Sequence, residues 1–464
     1  MRSPTLAAEI KTLVETRDFA ALRGKIVTWP AADLAEIMRE LEPNDMAVAF
    51  RMLPKQDAAA VFEHFDHDLQ HSVIHALGHE EVAGILNEMS DDDRTAFLEE
   101  VPEHAVRLLG MLSPEEQRVA VKLLGYPEDS VGRLMTTWFL AIREDWTVGK
   151  VLEHIRHNGR DFDYLNVVFV TDENFKLIAS VRIREFLIRP LDTIVADFIT
   201  RTFIALRVND PKDSAVEVFR KYDRIMLPVL DEQDVIVGIV TVDDVLDVAT
   251  EEATRDIQQM GGQESLDEPY LEVGIVTMIK KRAGWLVILF LSEMLTATAM
   301  AHFQGEIEKA AVLAIFTPLI ISSGGNSGSQ SSTLVIRALA LGEIRLRDWW
   351  RVLCREIGAG AVLGVILGAV GFIRITLWQQ MFGTYAAKDG GPVYWHLLAT
   401  TIFVSLIGVV LWGSVMGAMM PLILRRLGFD PASSSAPFVA TLVDVTGLTI
   451  YFTVAYEVLH GTLL

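Results

Sequence analysis

The sequence predicts a multidomain chain in which three architectures follow one another: an all-α helical superhelix, a duplicated α/β module, and an α-helical membrane domain of five spans. Three observations carry this expectation. In a chain of 464 residues with 51% hydrophobic content, the first 270 are strongly charged and the rest mostly apolar. The apolar pattern is helical over 1–130 and changes to short β-branched runs alternating with helices over 131–250. Beyond residue 280 the apolar runs reach the roughly 20 residues that a bilayer crossing needs.

Charge and cysteine content narrow the function classes. A formal net charge of -21 argues against nucleic acid or an anionic membrane surface as partner and makes cations natural ones. Cys354 is the only cysteine, which excludes intramolecular disulfides and a cysteine-based zinc site and fits a reducing compartment. Residues 1–11 are short and mixed rather than positive then apolar, so no signal peptide is expected and the charged part should stay in the cytoplasm.

Over 1–130 a local pattern recurs: Leu53-Pro54 before Asp57-Ala58-Ala59, Leu77 before Glu81-Val82-Ala83, Met89 before Asp93, and Val101-Pro102 before Ala105-Val106. Each unit places a proline or polar start ahead of a short apolar helix, the mark of a stacked array that binds or transmits. Glu80, Glu81, Asp91, Asp92, Asp93, Glu99 and Glu100 are open to two readings, solvated faces or the lining of a cation site. His64, His67, His71 and His75 are expected on one helical face. A zinc site would need further ligands and a supporting shell, so a solvated or interdomain polar face is the preferred reading.

In the next section the runs Val167-Val168-Phe169-Val170 and Ile225-Met226-Leu227-Pro228-Val229-Leu230 each precede a polar turn, a second strand and a helix. The blocks 134–188 and 195–249 align as two copies, with domain limits placed at 131–192 and 193–250. The second closes with Val237-Gly238-Ile239-Val240-Thr241-Val242-Asp243-Asp244-Val245-Leu246, and here the chain resembles the CBS-domain family. The resemblance implies that Gly238 permits tight strand geometry and that Thr241 and Asp244 contact a nucleotide ribose, so ATP is a candidate ligand. The first copy departs: Ile178-Ala179-Ser180-Val181-Arg182-Ile183-Arg184-Glu185 lacks the glycine and the hydroxyl. A paired regulatory module is therefore the firmer expectation.

A connecting helix over 243–280 carries Asp243, Asp244, Asp247, Glu251, Glu252 and Asp256. Like charges three and four apart destabilise an isolated helix. Bound divalent cations, which prefer carboxylate oxygens, or Lys280-Lys281-Arg282 are the candidate compensators, with plain solvent exposure as the alternative.

The membrane domain is placed at 281–464, with spans at 284–303, 310–341, 357–381, 396–424 and 432–460. Lys280, Lys281, Arg282, Arg345, Arg347, Arg351, Arg355, Arg425 and Arg426 fall on one side. Lys309 and Lys388, beside Glu306, Glu308 and Asp389, fall on the other. The positive-inside rule then puts the N-terminal domains in the cytoplasm and the C-terminus outside. The second span contains Ser322-Ser323-Gly324-Gly325-Asn326-Ser327-Gly328-Ser329-Gln330. Such a stretch either packs closely against another helix or lines a wet cavity. The fifth contains Pro437-Phe438-Val439-Ala440-Thr441-Leu442-Val443-Asp444. A carboxylate at that depth costs several kcal/mol unless it faces water, a counter-charge or a metal ion, so Asp444 is expected in an ion pathway rather than merely buried.

Taken together, the acidic helical array, tandem CBS blocks, acidic connector, Gly-Gly-Asn-x-Gly-x-Gln in the second span and Pro-Phe-Val-Ala-Thr-Leu-Val-Asp in the fifth resemble the MgtE-type magnesium channels and transporters. The resemblance spans nearly the whole chain. It implies a homodimer in a bacterial cytoplasmic membrane with its pore between the two membrane domains, where Asp444 from each subunit holds a largely hydrated magnesium ion. The Ala440 carbonyl and the Thr441 hydroxyl would flank that ion, with Gly325, Asn326 and Gln330 lining the path. It also implies that the connecting helix acts as a plug and that cytoplasmic magnesium closes the pore. Candidates for that sensor are Asp91, Asp92, Asp243, Asp244, Asp247, Glu251, Glu252, Asp256 and, at the membrane edge, Asp430. Arg255 and Ala436 depart from the family pattern. The alternatives are a broader channel for cobalt, nickel or manganese, and a non-conducting CBS-regulated sensor. An enzyme is not expected, since no nucleophile motif, Walker loop or metalloprotease helix is present.

Overall fold

The computed structural model describes residues 3–158, 165–266, 270–271, 273–309, 311–383, 395–460 and 462, and the chain divides into two compact units, Met1–Thr250 and Glu251–Leu464. Ala310, Lys388 and Asp389 lie outside the described residues, as do the side chains of His67 and Lys309.

Short helices fill the first half of the N-terminal unit, from Ser3–Glu15 to Pro114–Leu124. Their starts are written locally. Asp18, Asp66, Ser90 and Ser113 each accept a hydrogen bond from a backbone N–H in the first turn, and Pro43, Pro102 and Pro114 occupy the first helical position. One continuous core runs beneath them through Leu22, Leu34, Met38, Phe50, Phe62 and Phe97. Each such side chain contributes about 1.5–3 kcal/mol by leaving water.

The four histidines expected on one face do not share a helix. Helix Lys55–Glu63 stops with His64 as its C-cap, and Asp66 starts helix His67–Ala76 by accepting from the Leu69 N–H. His71 and His75 do meet, with ring centroids 4.4 Å apart, and His104 from helix Pro102–Leu109 approaches both.

The duplicated module forms two three-stranded sheets of matching topology. In each, a short strand pairs in parallel with the central one, which pairs antiparallel with the last: Ala141–Arg143, Val167–Thr171 and Leu177–Arg182 in the first copy, and Leu206–Arg207, Met226–Leu230 and Ile236–Thr241 in the second. Even the register irregularity repeats, at Val170/Thr171 and Val229/Leu230. Phe169 and Leu177 of one copy pack on Met226, Leu230, Ile236 and Ile239 of the other. Gly238 has a different purpose from the one expected. Thr136 exchanges two 2.9 Å backbone hydrogen bonds with Ile239, and a Cβ on Gly238 would lie 2.8 Å from the Thr136 carbonyl. The glycine makes room for the segment entering the first copy.

The connecting helix Val242–Met260 leaves directly from the last strand and ends well short of residue 280. Gly262 turns the chain at φ +72°, where a Cβ would strike the Trp285 ring. The turn is tied down by a Lys281 Nζ donation to the Ser265 carbonyl (2.6 Å) and by the Leu266 N–H, which donates to Gln258 Oε1.

Among the described residues five helices are long and apolar enough to cross a membrane: Ile275–His302, Ala311–Ala340, Leu346–Phe382, Trp395–Arg426 and Ala436–Leu459. The first begins at residue 275 rather than 284, so Lys280, Lys281 and Arg282 belong to its first turns. Glycines set the packing of the next three. A Cβ on Gly417 would lie 2.0 Å from the Gly328 carbonyl and one on Gly413 2.3 Å from that of Gly324, so the second and fourth spans touch backbone to backbone. Gly360, Gly364 and Gly368 bring the third span onto the fourth in the same way.

Candidate functional site

In the membrane unit the site is built on the fifth span. Ser435 caps it by accepting from the Phe438 N–H, and Pro437 lies in its first turn. Two turns on, Asp444 is half-buried and makes no hydrogen bond or ion pair among the described residues. The second span crosses beside it at Gly325, where a Cβ would be 3.3 Å from that of Ala440 and 3.5 Å from Asp444 Oδ1. Gly325 is buried, so it acts as a spacer against Asp444 and not as an exposed lining residue. Ala440 also departs from expectation: inside a helix its carbonyl already accepts from the backbone N–H four residues on, leaving one lone pair at most. The Thr441 hydroxyl donates to the Pro437 carbonyl (3.0 Å), which keeps its oxygen lone pairs available.

Both readings of the second span apply, each to its own face. Gly324 and Gly328 are buried against the fourth span. Ser322, Asn326 and Gln330, four apart, form an exposed polar stripe in which Asn326 Nδ2 donates to Ser322 Oγ (3.4 Å). Ser329 and Ser332 fasten the same span to the start of the fifth through the carbonyls of Ala436 (3.0 Å) and Ser434 (2.8 Å). Asp430 is exposed and caps a short turn by accepting from the Ala432 N–H (2.8 Å).

A second acidic site lies wholly within the N-terminal unit. A cavity of about 300 Å³ is lined by Glu63, His64, Ser90, Asp92, Asp93, Thr136, Trp138, Thr241, Asp243, Asp244 and Asp247. Burial pushes the Asp92 carboxyl well above its ordinary range, and the neighbouring Asp244 charge adds to it. Asp93 is pushed up to about 6 by burial and then by the Asp92 charge, and Asp244 to about 6 by burial. Among the described residues no three acidic or histidine side chains converge at direct ligand distance.

Asp91 does not belong to this cavity, contrary to expectation. It is buried, ion-paired with the buried Arg94, and accepts from the Thr137 N–H (3.0 Å) and hydroxyl, while Arg94 also pairs with Glu116 (2.5 Å). Its carboxylate is a structural clamp. Asp93, expected as either a solvated face or the lining of a cation site, lines the cavity, and so does Glu63, which was not expected there. The signal was available: Ser90 followed by Asp93 is a capping pattern that fixes the phase of helix Asp91–Glu100, and Asp91 to Arg94 is an i, i+3 ion-pair spacing. Of the connector acids, Glu251, Glu252 and Asp256 fall in the second unit, where Glu252 pairs with Arg255 (2.9 Å).

Thr241 and Asp244 are likewise not placed for a nucleotide. The Thr241 hydroxyl donates to Asp244 Oδ2, and both face the aspartates of the cavity, which would repel a polyphosphate. A separate cleft of about 550 Å³ between the two CBS copies is lined by Phe169, Ser180, Phe198, Thr200, Thr202 and Pro228 together with Arg182, Arg184 and Arg224. These arginines were visible in the sequence, two of them in the stretch that had lost the family's glycine and hydroxyl.

Comparison with known proteins agrees with this layout. Family models match as MgtE intracellular N domain over residues 29–129, as CBS domain over 195–251 and as MgtE, divalent cation transporter, over 317–454. The magnesium transporter MgtE of Thermus thermophilus is 36% identical over 98% of this chain and 99% of its own length, and that of Enterococcus faecalis 29% over 74% and 72%. The crystal structure of the cytosolic domain of the Mg2+ channel MgtE in complex with ATP superposes with a TM-score of 0.50 at 31% identity, covering 52% of this chain and 99% of that one. The soluble part of a magnesium transporter shares the fold, with a TM-score of 0.52 at 24% identity over 54% of this chain and 99% of its own. With its helical array, CBS pair and five apolar spans in the order of relatives aligned over almost their full length, the chain belongs to the MgtE family.

Proposed function

We propose that this chain is a magnesium channel of the bacterial cytoplasmic membrane, working as a homodimer whose pore is closed by cytoplasmic magnesium. The observation that carries the reading is Asp444: a carboxylate at membrane depth with no hydrogen bond or ion pair among the described residues, beside a span whose exposed face is Ser322, Asn326 and Gln330. Neither feature is stable against lipid, and both suit a water-filled path. Magnesium gives up its hydration shell reluctantly and binds through one or two carboxylates with several waters retained. One Asp444 per subunit, with the Thr441 oxygen behind it, meets that need. The relatives' names, magnesium transporters aligned along the whole chain, support the same cargo.

The N-terminal unit supplies the sensor. Glu63, Asp92, Asp93, Asp243, Asp244 and Asp247 surround one cavity, and their mutual repulsion makes its metal-free form costly. A divalent cation relieves that cost only while the acidic elements stay together. Several such sites acting in concert supply the roughly 5 kcal/mol that switches a two-state equilibrium from mostly open to mostly closed. Glu251, Glu252 and Asp256 on the connecting plug helix and Asp430 at the membrane edge extend the same set. The basic ends Arg345, Arg347, Arg425 and Arg426 support a cytoplasmic side for this unit by the positive-inside rule. ATP is assigned to the arginine-lined cleft between the CBS copies, in keeping with the ATP complex of the related cytosolic domain.

Magnesium flux into liposomes, with wild type compared to Asp444→Ala at low and high magnesium on each face, tests the proposal. Flux that is lost in the variant and shut off by magnesium on the cytoplasmic face supports pore and sensor together. Absence of wild-type flux under every condition would hand the reading to a non-conducting sensor. Equal flux of cobalt, nickel or manganese would broaden the cargo.

A further inference from the structure

The first span carries a carboxylate that nothing so far has used. Glu293 lies in helix Ile275–His302, is exposed, and makes no hydrogen bond or ion pair among the described residues. At membrane depth such a group is unstable against lipid and needs water or a cation.

Its position relative to Asp444 follows from two aromatic contacts. The first and fifth spans run in the same direction and touch near both ends, Trp285 against Phe438 with ring centroids 6.3 Å apart and Phe303 against Phe452 with rings stacked at 5.1 Å. Glu293 is 8 of the 18 positions from Trp285 to Phe303, and Asp444 is 6 of the 14 from Phe438 to Phe452. A rise of about 1.5 Å per residue puts them about 12 and 9 Å above the lower contact, so the two carboxylates sit at nearly the same depth on adjacent helices. On the packed side of the Glu293 helix turn, Thr296 is 5% exposed and its Oγ1 has no hydrogen-bond partner.

We propose that Glu293 is a second carboxylate of the ion pathway, level with Asp444, which sets the pathway's preference for divalent over monovalent cations. The inference rests on the reading of Asp444 as a pore residue. Two carboxylates per chain at one depth attract a divalent ion twice as strongly as a monovalent one by charge alone, and magnesium, which gives up its inner waters reluctantly, can feel both through its hydration shell. Glu293 acts at long range on the hydrated ion, whereas Asp444, backed by Thr441, holds it.

The test is flux through the full-length protein in liposomes, measured against magnesium concentration and against a sodium background. Glu293→Gln should raise the half-saturating magnesium concentration about tenfold and raise sodium leak, while Glu293→Asp restores both toward wild type. Wild-type half-saturation and wild-type sodium exclusion in Glu293→Gln would overturn the proposal. So would loss of flux in both variants together with a lowered melting temperature, which assigns Glu293 to the fold. Asp444→Ala in the same assay separates the two claims. If it conducts normally the pore reading falls, and if it is silent while Glu293→Gln matches wild type only the present inference falls.

Discussion

Asp444 and the aspartates of the N-terminal cavity keep carboxyl groups out of bulk water by opposite means. Among the described residues Asp444 has no hydrogen bond or ion pair; it stands in an apolar helix next to a glycine that leaves room beside it. The cavity gathers Glu63, Asp92, Asp93, Asp243, Asp244 and Asp247, so its groups suffer one another as well as burial. A lone carboxylate can be visited and left by a hydrated ion, as conduction requires. A crowded set binds a cation in exchange for relief of repulsion, which couples binding to how tightly its elements close. On the proposed function, this difference is what would set a transport site apart from a sensing site.

Asp444→Ala gives the widest separation of the two. Losing an intramembrane group worth about 3 kcal/mol to the ion should cut magnesium flux about 100-fold, and magnesium should still raise the melting temperature of the full-length protein in detergent. A flux assay and a thermal melt on the same preparation decide it. Loss of both responses would mean that the two regions are not separable.

Neutralising the cavity tests the other side. Asp92→Asn, Asp93→Asn and Asp244→Asn in one chain should raise the magnesium concentration that halves flux about tenfold, with maximal flux retained. The variant should also melt higher than wild type without magnesium, because the repulsion is gone. Unchanged closure by magnesium would remove the cavity from the sensor.

How far these sites could be read in advance depended on the range of the forces involved. The five spans are properties of single segments, and length and apolar content are enough to find them. Asp444 stood out because a charge in such a segment has few explanations. The second span resisted, since Gly324 and Asn326 are neighbours in sequence yet face different things, and only the backbone approach of Gly413 and Gly417 shows which face is packed. Asp91 resisted for another reason. Its partner Thr137, and the Glu116 that shares Arg94 with it, are brought there by tertiary folding, so three consecutive aspartates stand in two different settings. The end of the connecting helix was legible at Gly261-Gly262, but the acidic pattern drew attention past it.

A smaller effect sharpens the comparison through pH. Asp93 and Asp244 have carboxyls raised from 3.8 to about 6 in the fold, chiefly by burial. A group raised in this way contributes stability that is fully present below the unfolded value and is lost as pH rises through the folded one. The metal-free protein should therefore lose stability between about pH 4 and pH 6 through these groups and stay at the lower level above. Magnesium competes with the same protons. Its stabilisation should be a few degrees in melting temperature at pH 7.5 and nearly absent at pH 5. An equal magnesium shift at both values would show that other groups bind the ion.

The smallest expected change in sensing belongs to Asp91→Asn, next in sequence to Asp92. The substitution removes the charge that balances the buried Arg94, although Glu116 still pairs with that arginine and the asparagine oxygen can still accept from Thr137. Retention of those contacts should hold the loss of stability to about 1–3 kcal/mol, seen as a lower melting temperature. The magnesium concentration that halves flux should stay within about twofold of wild type, since the carboxylate lies outside the cavity and its removal changes no group that lines it. Asp92→Asn should show the reverse, a clear shift in sensing with stability held or raised. If the two variants moved magnesium sensing equally, the division of this acidic run into one clamp and two sensing groups would fail, and the run would have to be treated as a single electrostatic surface.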